Sequence, residues 1–326
     1  MKALTSAEMK SFLKSLTGEY DVRAPVRLED GTRALGHLDE GRLAIEGGPI
    51  ARKPNDIFFP QFDVILNAKG NKFKVADSLQ KPLFVIGFTA EDCECLEFVD
   101  KFYSENFRDE IYFAKRDKAV IAAVSGKCGK DGEMLKIAGG KCDLEFIYDG
   151  SKYIVCAYTL KGKKIEEKIK CEEKSAKIDE LKKLSDSIHN EDLEILKKAG
   201  ELIRKNAVPD DFWKEIANRC ISCTACNIAC PTCTCFDVCD HDRERVIERI
   251  RMWDSCQLDG FMREASGHNP LGEEYLRARR RIHHKLAADY ERWGHITCFL
   301  CGRCDDVCPT NIGIKSVNRE IVKRFG

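Results

Sequence analysis

No stretch of these 326 residues approaches the eighteen or more apolar residues of a membrane-spanning helix; the longest apolar runs, at 82–88 and 119–124, are the size of strands. The opening Met1-Lys2-Ala3-Leu4-Thr5-Ser6-Ala7-Glu8 lacks the apolar core and small-residue cleavage site of a secretory signal, so the expected compartment is a reducing cytoplasm. An excess of charge is missing too: 54 Lys and Arg balance 54 Asp and Glu, leaving no global pull toward nucleic acid or an anionic membrane surface. No G-x-G-x-x-G follows a predicted strand and no G-x-x-x-x-G-K-[ST] occurs, which removes the two common nucleotide fingerprints. H-E-x-x-H and G-x-S-x-G are absent as well, and spacing alone places no nucleophile beside a base.

Cysteine is what the chain has in excess. It carries eighteen, and twelve of them fall between Cys220 and Cys308. Cys220, Cys223, Cys226 and Cys230, followed by Pro231, have the spacing C-x2-C-x2-C-x3-C-P, and Cys298, Cys301, Cys304 and Cys308, followed by Pro309, repeat it. Three thiolates on one tight loop can each reach a different iron of a cubane, and the fourth ligand must come from elsewhere. In two-cluster ferredoxins the distant fourth cysteine of each run joins the other cluster. Carried over, one [4Fe–4S] cluster takes Cys220, Cys223, Cys226 and Cys308, and the other takes Cys298, Cys301, Cys304 and Cys230. Zinc is the competing reading of paired C-x2-C elements. A four-ligand zinc site needs neither two complete runs nor their terminal prolines, and His is absent from both. Cys233, Cys235, Cys239 and Cys256 lie near the first run; they read as small residues packed around a cluster, with Cys233 or Cys256 as a substitute ligand or part of a third metal site as the alternative.

Around these runs the chain reads as two domains joined by a bridge: an α+β domain over 1–160, a helical linker over 161–205 and an all-α, helical dicluster ferredoxin domain over 206–326. Thr5-Ser6-Ala7-Glu8 has capping-box spacing ahead of Met9, Phe12, Leu13 and Leu16, which predicts an opening helix. Runs at 63–66, 83–88, 119–124, 144–148 and 153–158 read as strands, the last two flanking an Asp149-Gly150-Ser151 hairpin turn. The Lys- and Glu-rich stretch after Lys161 reads as solvated helix. Asp210 is expected to cap a helix that delivers Cys220, and the insertion between the runs reads as helix at 242–253 and 271–293. Arg277, Arg279, Arg280, Arg281, His283 and His284 crowd the latter, either to hold the negative charge of reduced clusters or dock an acidic partner face, or simply as a solvated helix face.

Arg219 to Cys223, Pro231 to Phe236, Trp253-Asp254-Ser255-Cys256-Gln257, Gly267-His268-Asn269 and Cys301-Gly302-Arg303-Cys304 carry a family resemblance. Together they resemble the dicluster electron-transfer subunits of two cytoplasmic enzymes, archaeal NiFe sulfhydrogenase, in which it is the beta subunit, and anaerobic sulfite reductase. The resemblance implies a place between a reductase subunit, flavin-bearing and NAD(P)H-linked, and a catalytic NiFe or siroheme subunit, with no nucleic acid and no membrane span of its own. Its motif reports a relay and not its terminus. Where relatives tend to have His-Ala-Cys-Asp this chain has Thr89-Ala90-Glu91-Asp92, so Cys93 and Cys95 are not nominated as ligands. Two other classes remain in view: a self-contained iron–sulfur reductase whose N-terminal domain binds substrate, and a structural or sensing protein whose clusters hold the fold.

Overall fold

The computed structural model describes residues 2–76, 80–170, 178–188, 190–244 and 246–326, which form two compact units, one of residues 1–59 and 77–189 and one of residues 60–76 and 190–326. The first unit is mixed α/β. Its eight-stranded sheet runs in the order Lys2–Thr5, Lys152–Ala157, Leu144–Tyr148, Val120–Gly126, Leu83–Phe88, Asp21–Arg27 and Arg33–Gly36, with Arg42–Leu43 also pairing with Asp21–Arg27. The middle pairings are parallel and the outer ones antiparallel. Leu83–Phe88 and Val120–Gly126 are buried throughout, which explains why both read as unbroken apolar runs: a parallel strand covered on both faces has no solvent face to alternate with.

Local chemistry sets several elements directly. The opening helix is Ser6–Leu16, and its capping box is complete: Glu8 N–H donates to Thr5 Oγ1 at 3.3 Å and Thr5 N–H donates to the Glu8 carboxylate at 2.8 Å. Met9, Phe12, Leu13 and Leu16 go into the core with Phe84, Ile86, Val120 and Phe146. The hairpin forms at Asp149-Gly150-Ser151, where Gly150 takes φ +108° and the Asp149 carboxylate accepts the Ser151 and Lys152 N–H groups at 2.7 and 2.8 Å.

The second unit packs the helices Glu191–Arg204, Asp210–Arg219, Glu274–His283 and Ile314–Phe325 around Leu196, Phe212, Trp213, Ile282, Leu286, Val317 and Ile321. Glu274–His283 continues through a π turn, His284–Ala288, into Asp289–Trp293, so the helix expected at 271–293 is present with a bulge inside it. Asp210 does not cap its helix; Pro209 holds that position and the Asp210 carboxylate accepts from Arg279 at 3.2 Å.

The described residues of 242–253 are not helical, and the region is therefore not all-α. Phe236–Arg243 and Val246–Trp253 form a hairpin that continues through Phe62–Lys69 to Lys72–Val75 in a four-stranded antiparallel sheet. Val246, Ile247 and Ile250 are β-branched and Trp253 aromatic, residues that lose rotamer freedom in a helix but suit a pleated surface. Two ion pairs complete the choice: Arg251 donates to Asp63, distant in sequence, at 2.9 Å with both side chains buried, and Arg249 pairs with Asp240 directly across the hairpin at 2.7 Å. Among the described residues no helix is long and apolar enough to cross a membrane.

Candidate metal centre

The two cysteine runs adopt the same local fold. Helix Asp210–Arg219 ends on Cys220, and the chain then takes positive φ at Ser222 (51°) and Thr224 (62°) before the short helix Ala225–Ile228. In the second run the corresponding positions, Leu300 (58°) and Gly302 (80°), are left-handed too, and Arg303–Asp306 is the corresponding short helix. Left-handed turns of this kind curl backbone N–H groups back toward the first sulfur, and Ser222 N–H donates to Cys220 Sγ at 3.4 Å. Ser, Thr and Leu in this conformation are strained, a cost that the rest of the loop offsets.

Four of the eight sulfurs face one cavity. Cys220, Cys223 and Cys226 of the first run line it together with Cys308 of the second, and Ile216, Ala278 and Ile312 supply apolar walls. Cys223 is exposed, so one edge of this site meets solvent. The remaining four are linked by their charge interactions. Burial foremost, then the nearby Cys230 and Cys301 sulfurs, raise the Cys298 thiol to about 12, while the Leu300 N–H and Lys285 oppose the rise. Burial likewise raises Cys304, with Asp305, Cys298 and Cys230 adding to it and Arg281 opposing. Cys230 also influences Cys226, after Cys256 and Cys220.

Two buried cations stand among these sulfurs. Arg281, 8% exposed, lines the first cavity and donates to the Ile312 carbonyl at 2.8 Å. Lys285, 7% exposed and one helical turn further on, donates to Thr232 Oγ1 at 2.6 Å. Burial alone would push both toward neutrality. Once ionised, as metal ligation requires, Cys226, Cys304, Cys233 and Cys230 hold the charge of Arg281, and Cys230, Cys233 and Cys298, with Asp289, hold that of Lys285. An all-sulfur donor set beside buried positive charge, with no counter-carboxylate at Arg281 among its principal partners, fits an anionic, thiolate-ligated cluster. Among the described residues no three His, Cys, Asp or Glu side chains converge as they would on a single ion; a cubane spreads its four thiolates over four irons.

Of the four extra cysteines, Cys256 is buried and its sulfur accepts from Asn227 Nδ2 at 3.2 Å and Gln257 Nε2 at 3.7 Å. The Cys235 thiol donating to it, foremost, and these two amides bring Cys256 down to about 5 against the opposing effect of burial. Cys233 pairs similarly with Cys230, donating to it and lowering it. Cys239 sits on strand Phe236–Arg243 opposite Ile250. In the N-terminal unit Cys93 and Cys142 are buried and hydrogen-bonded to each other, which raises Cys93.

The arginine-rich helix divides by face: Arg277 and Arg281 are buried, whereas Arg279, Arg280, His283 and His284 are partly exposed. Lys285 and Thr232 were not singled out from sequence. The available signals were the i+4 spacing of Lys285 from Arg281 and the repeated Cys-Pro-Thr at both run ends.

Residues 219–312 match the family model of the 4Fe-4S dicluster domain, which makes the cofactors two [4Fe–4S] clusters. No solved structure matches the chain significantly. Over 335 aligned positions it is 27% identical to sulfhydrogenase 2 subunit beta of Pyrococcus furiosus, covering 95% of this chain and 94% of that protein. The chain is an iron–sulfur dicluster electron-transfer protein related to a sulfhydrogenase beta subunit.

Proposed function

We propose that this chain is the relay subunit of a redox complex, passing single electrons through its two [4Fe–4S] clusters between a reductase subunit, flavin- and NAD(P)H-linked, and a catalytic redox subunit. Cys220, Cys223, Cys226 and Cys308 would hold one cluster and Cys298, Cys301, Cys304 and Cys230 the other, within a functional region spanning 206–326. The observation that carries this reading is the lining of one cavity by three cysteines of the first run and the last cysteine of the second. Crossed ligation ties the two runs together across the insertion, and the apolar walls, with the buried face of helix Glu274–His283, keep water from the inner sulfurs. The exposed Cys223 leaves one edge of its site open to a partner. Similarity to a sulfhydrogenase subunit favours a hydrogenase as the catalytic partner, with a siroheme sulfite reductase the other candidate.

Anaerobic purification with partners retained tests the role: about eight irons per chain are expected, with a flavoprotein and a NiFe or siroheme subunit co-purifying. Stoichiometric zinc, or turnover of substrate by the isolated chain with an artificial donor, would refute it. Cys308→Ser tests the ligation. It should damage the cluster built on Cys220, Cys223 and Cys226, and loss confined to the cluster built on Cys298, Cys301 and Cys304 would show that each run serves itself.

A further inference from the structure

Both runs end alike, in Cys230-Pro231-Thr232 and Cys308-Pro309-Thr310, and in both the threonine hydroxyl reaches back to the sulfur, at 3.4 Å for Thr232 and 3.6 Å for Thr310. The surroundings of the two threonines differ. Thr232 is buried, and Lys285 Nζ donates to its Oγ1 at 2.6 Å. An ammonium can only donate, so it occupies an acceptor position of the hydroxyl and leaves the O–H proton to point at Cys230 Sγ. Thr310, by contrast, lies partly exposed beside the first cavity, where the Ile312 N–H donates to Cys308 Sγ at 3.3 Å. Lys285 itself belongs to the π turn His284–Ala288, and its carbonyl accepts the Thr297 N–H at 3.0 Å, one residue before Cys298. One residue thus braces the end of the first run and the start of the second. Bulges of this type recur at functional sites because they place a side chain and a carbonyl where a regular helix would not.

We infer that Lys285, acting through Thr232, positions Cys230 and selectively favours the reduced state of the cluster that Cys230 joins. This rests on the crossed ligation, which puts Cys230 with Cys298, Cys301 and Cys304. Reduction adds one negative charge to a cluster, and a fixed cation two hydrogen bonds from a ligand sulfur, buried where the dielectric is low, stabilises that charge. Asp289, which accepts from Thr297 and pairs with His284 at 3.2 Å, and Asp305, 3.6 Å from Cys304 Sγ, act in the opposite sense but stay constant when only Lys285 or Thr232 is changed. Arg281 neighbours sulfurs of both sets and so supplies no selectivity.

The test is a potentiometric titration of the loaded, full-length chain followed by electron paramagnetic resonance. Cys223→Asp and Cys301→Asp first assign each reduced-cluster signal to its run, whichever way the fourth ligands are arranged. Lys285→Met and Thr232→Val are then expected to lower the reduction equilibrium of the Cys301 cluster at least tenfold, 59 mV for a one-electron couple, while the Cys223 cluster moves less than threefold and Lys285→Arg restores most of the shift. Thr232→Val preserves volume and carries the test should Lys285→Met fail to load. Unchanged potentials with both clusters loaded would overturn the inference. A shift confined to the Cys223 cluster would overturn the crossed ligation beneath it, which Cys308→Ser decides independently.

Discussion

Replacing Asp305 with alanine should detach the second cysteine run from the helix that follows it. Asp305 lies between Cys304 and Cys308, and its carboxylate accepts the Lys315 N–H at 3.3 Å, the Ser316 N–H at 3.2 Å and the Ser316 hydroxyl at 3.2 Å. Those N–H groups belong to the first turn of Ile314–Phe325, whose own cap residue, Gly313, offers no side chain. A lost helix cap costs about 1 kcal/mol, and the loss of a carboxylate at the positive end of the helix dipole about 0.3–1 kcal/mol more. Asp305 is only partly buried, so water replaces some of what is lost, and a total near 2 kcal/mol is expected. With a bound cofactor the useful measure is a rate; if the contact is already broken in the barrier to opening, 2 kcal/mol corresponds to about thirty-fold faster opening. Anaerobic iron release into a ferrous chelator at moderate denaturant reports it, with the exposed neighbour Asp306→Ala as a control expected within about two-fold of the parent. Gly313→Ala should act in the same direction by a different route, because a Cβ there would lie 2.4 Å from Asp305 Cα, a backbone contact that a rotamer change cannot relieve. Release from Asp305→Ala within two-fold of the parent would refute the reasoning.

Asp63→Ala leaves Arg251 charged and buried in the four-stranded sheet, and should destabilise that unit by about 3–5 kcal/mol, read as a lowered denaturation midpoint of the hairpin's circular dichroism signal; a change under 1 kcal/mol would mean water reaches the pair. Burial foremost, with Glu46 adding and Arg33 opposing, raises the Cys128 thiol to about 12, so at pH 8 only about one part in ten thousand is thiolate. Iodoacetamide should leave Cys128 unmodified in native protein at pH 8, with labelling rising only as the pH nears 12 or the unit unfolds, and mass-spectrometric detection of the adduct at pH 8 would contradict the burial.

Much of the architecture was legible wherever a short segment contains its own reason. Thr5 and Glu8 complete a cap within four residues, Asp149-Gly150-Ser151 forms a turn from its own carboxylate and its own glycine, and two buried parallel strands announce themselves as continuous apolar runs. The cysteine runs are legible for the same reason, since the i, i+3, i+6 spacing presents three sulfurs to one cage on any tight loop. The helix expected at 242–253 was a misreading because its alternative rests on pairing on both sides, one partner far away in the chain: apolar residues at 246, 247, 250 and 253 satisfy a helical period, and pairing with Phe236–Arg243 and Phe62–Lys69, with the ion pair to Asp63, selects the strand.

The choice and spacing of residues determined that this chain binds iron–sulfur clusters and that its N-terminal part builds a mixed sheet, because thiolate spacing and local turn chemistry act over a few residues. Tertiary structure decided which charged side chains enter the cluster region. Arg277, Arg279, Arg280, Arg281 and Lys285 are alike in sequence, and it is the packing of one helix face that buries Arg281 and Lys285 among the cysteines and Arg277 against the loop of Leu271 and Gly272, and leaves the others toward water. It also decided that Cys308 faces the sulfurs of the first run, since a contact across some eighty residues depends on how the intervening chain folds and not on any spacing within it.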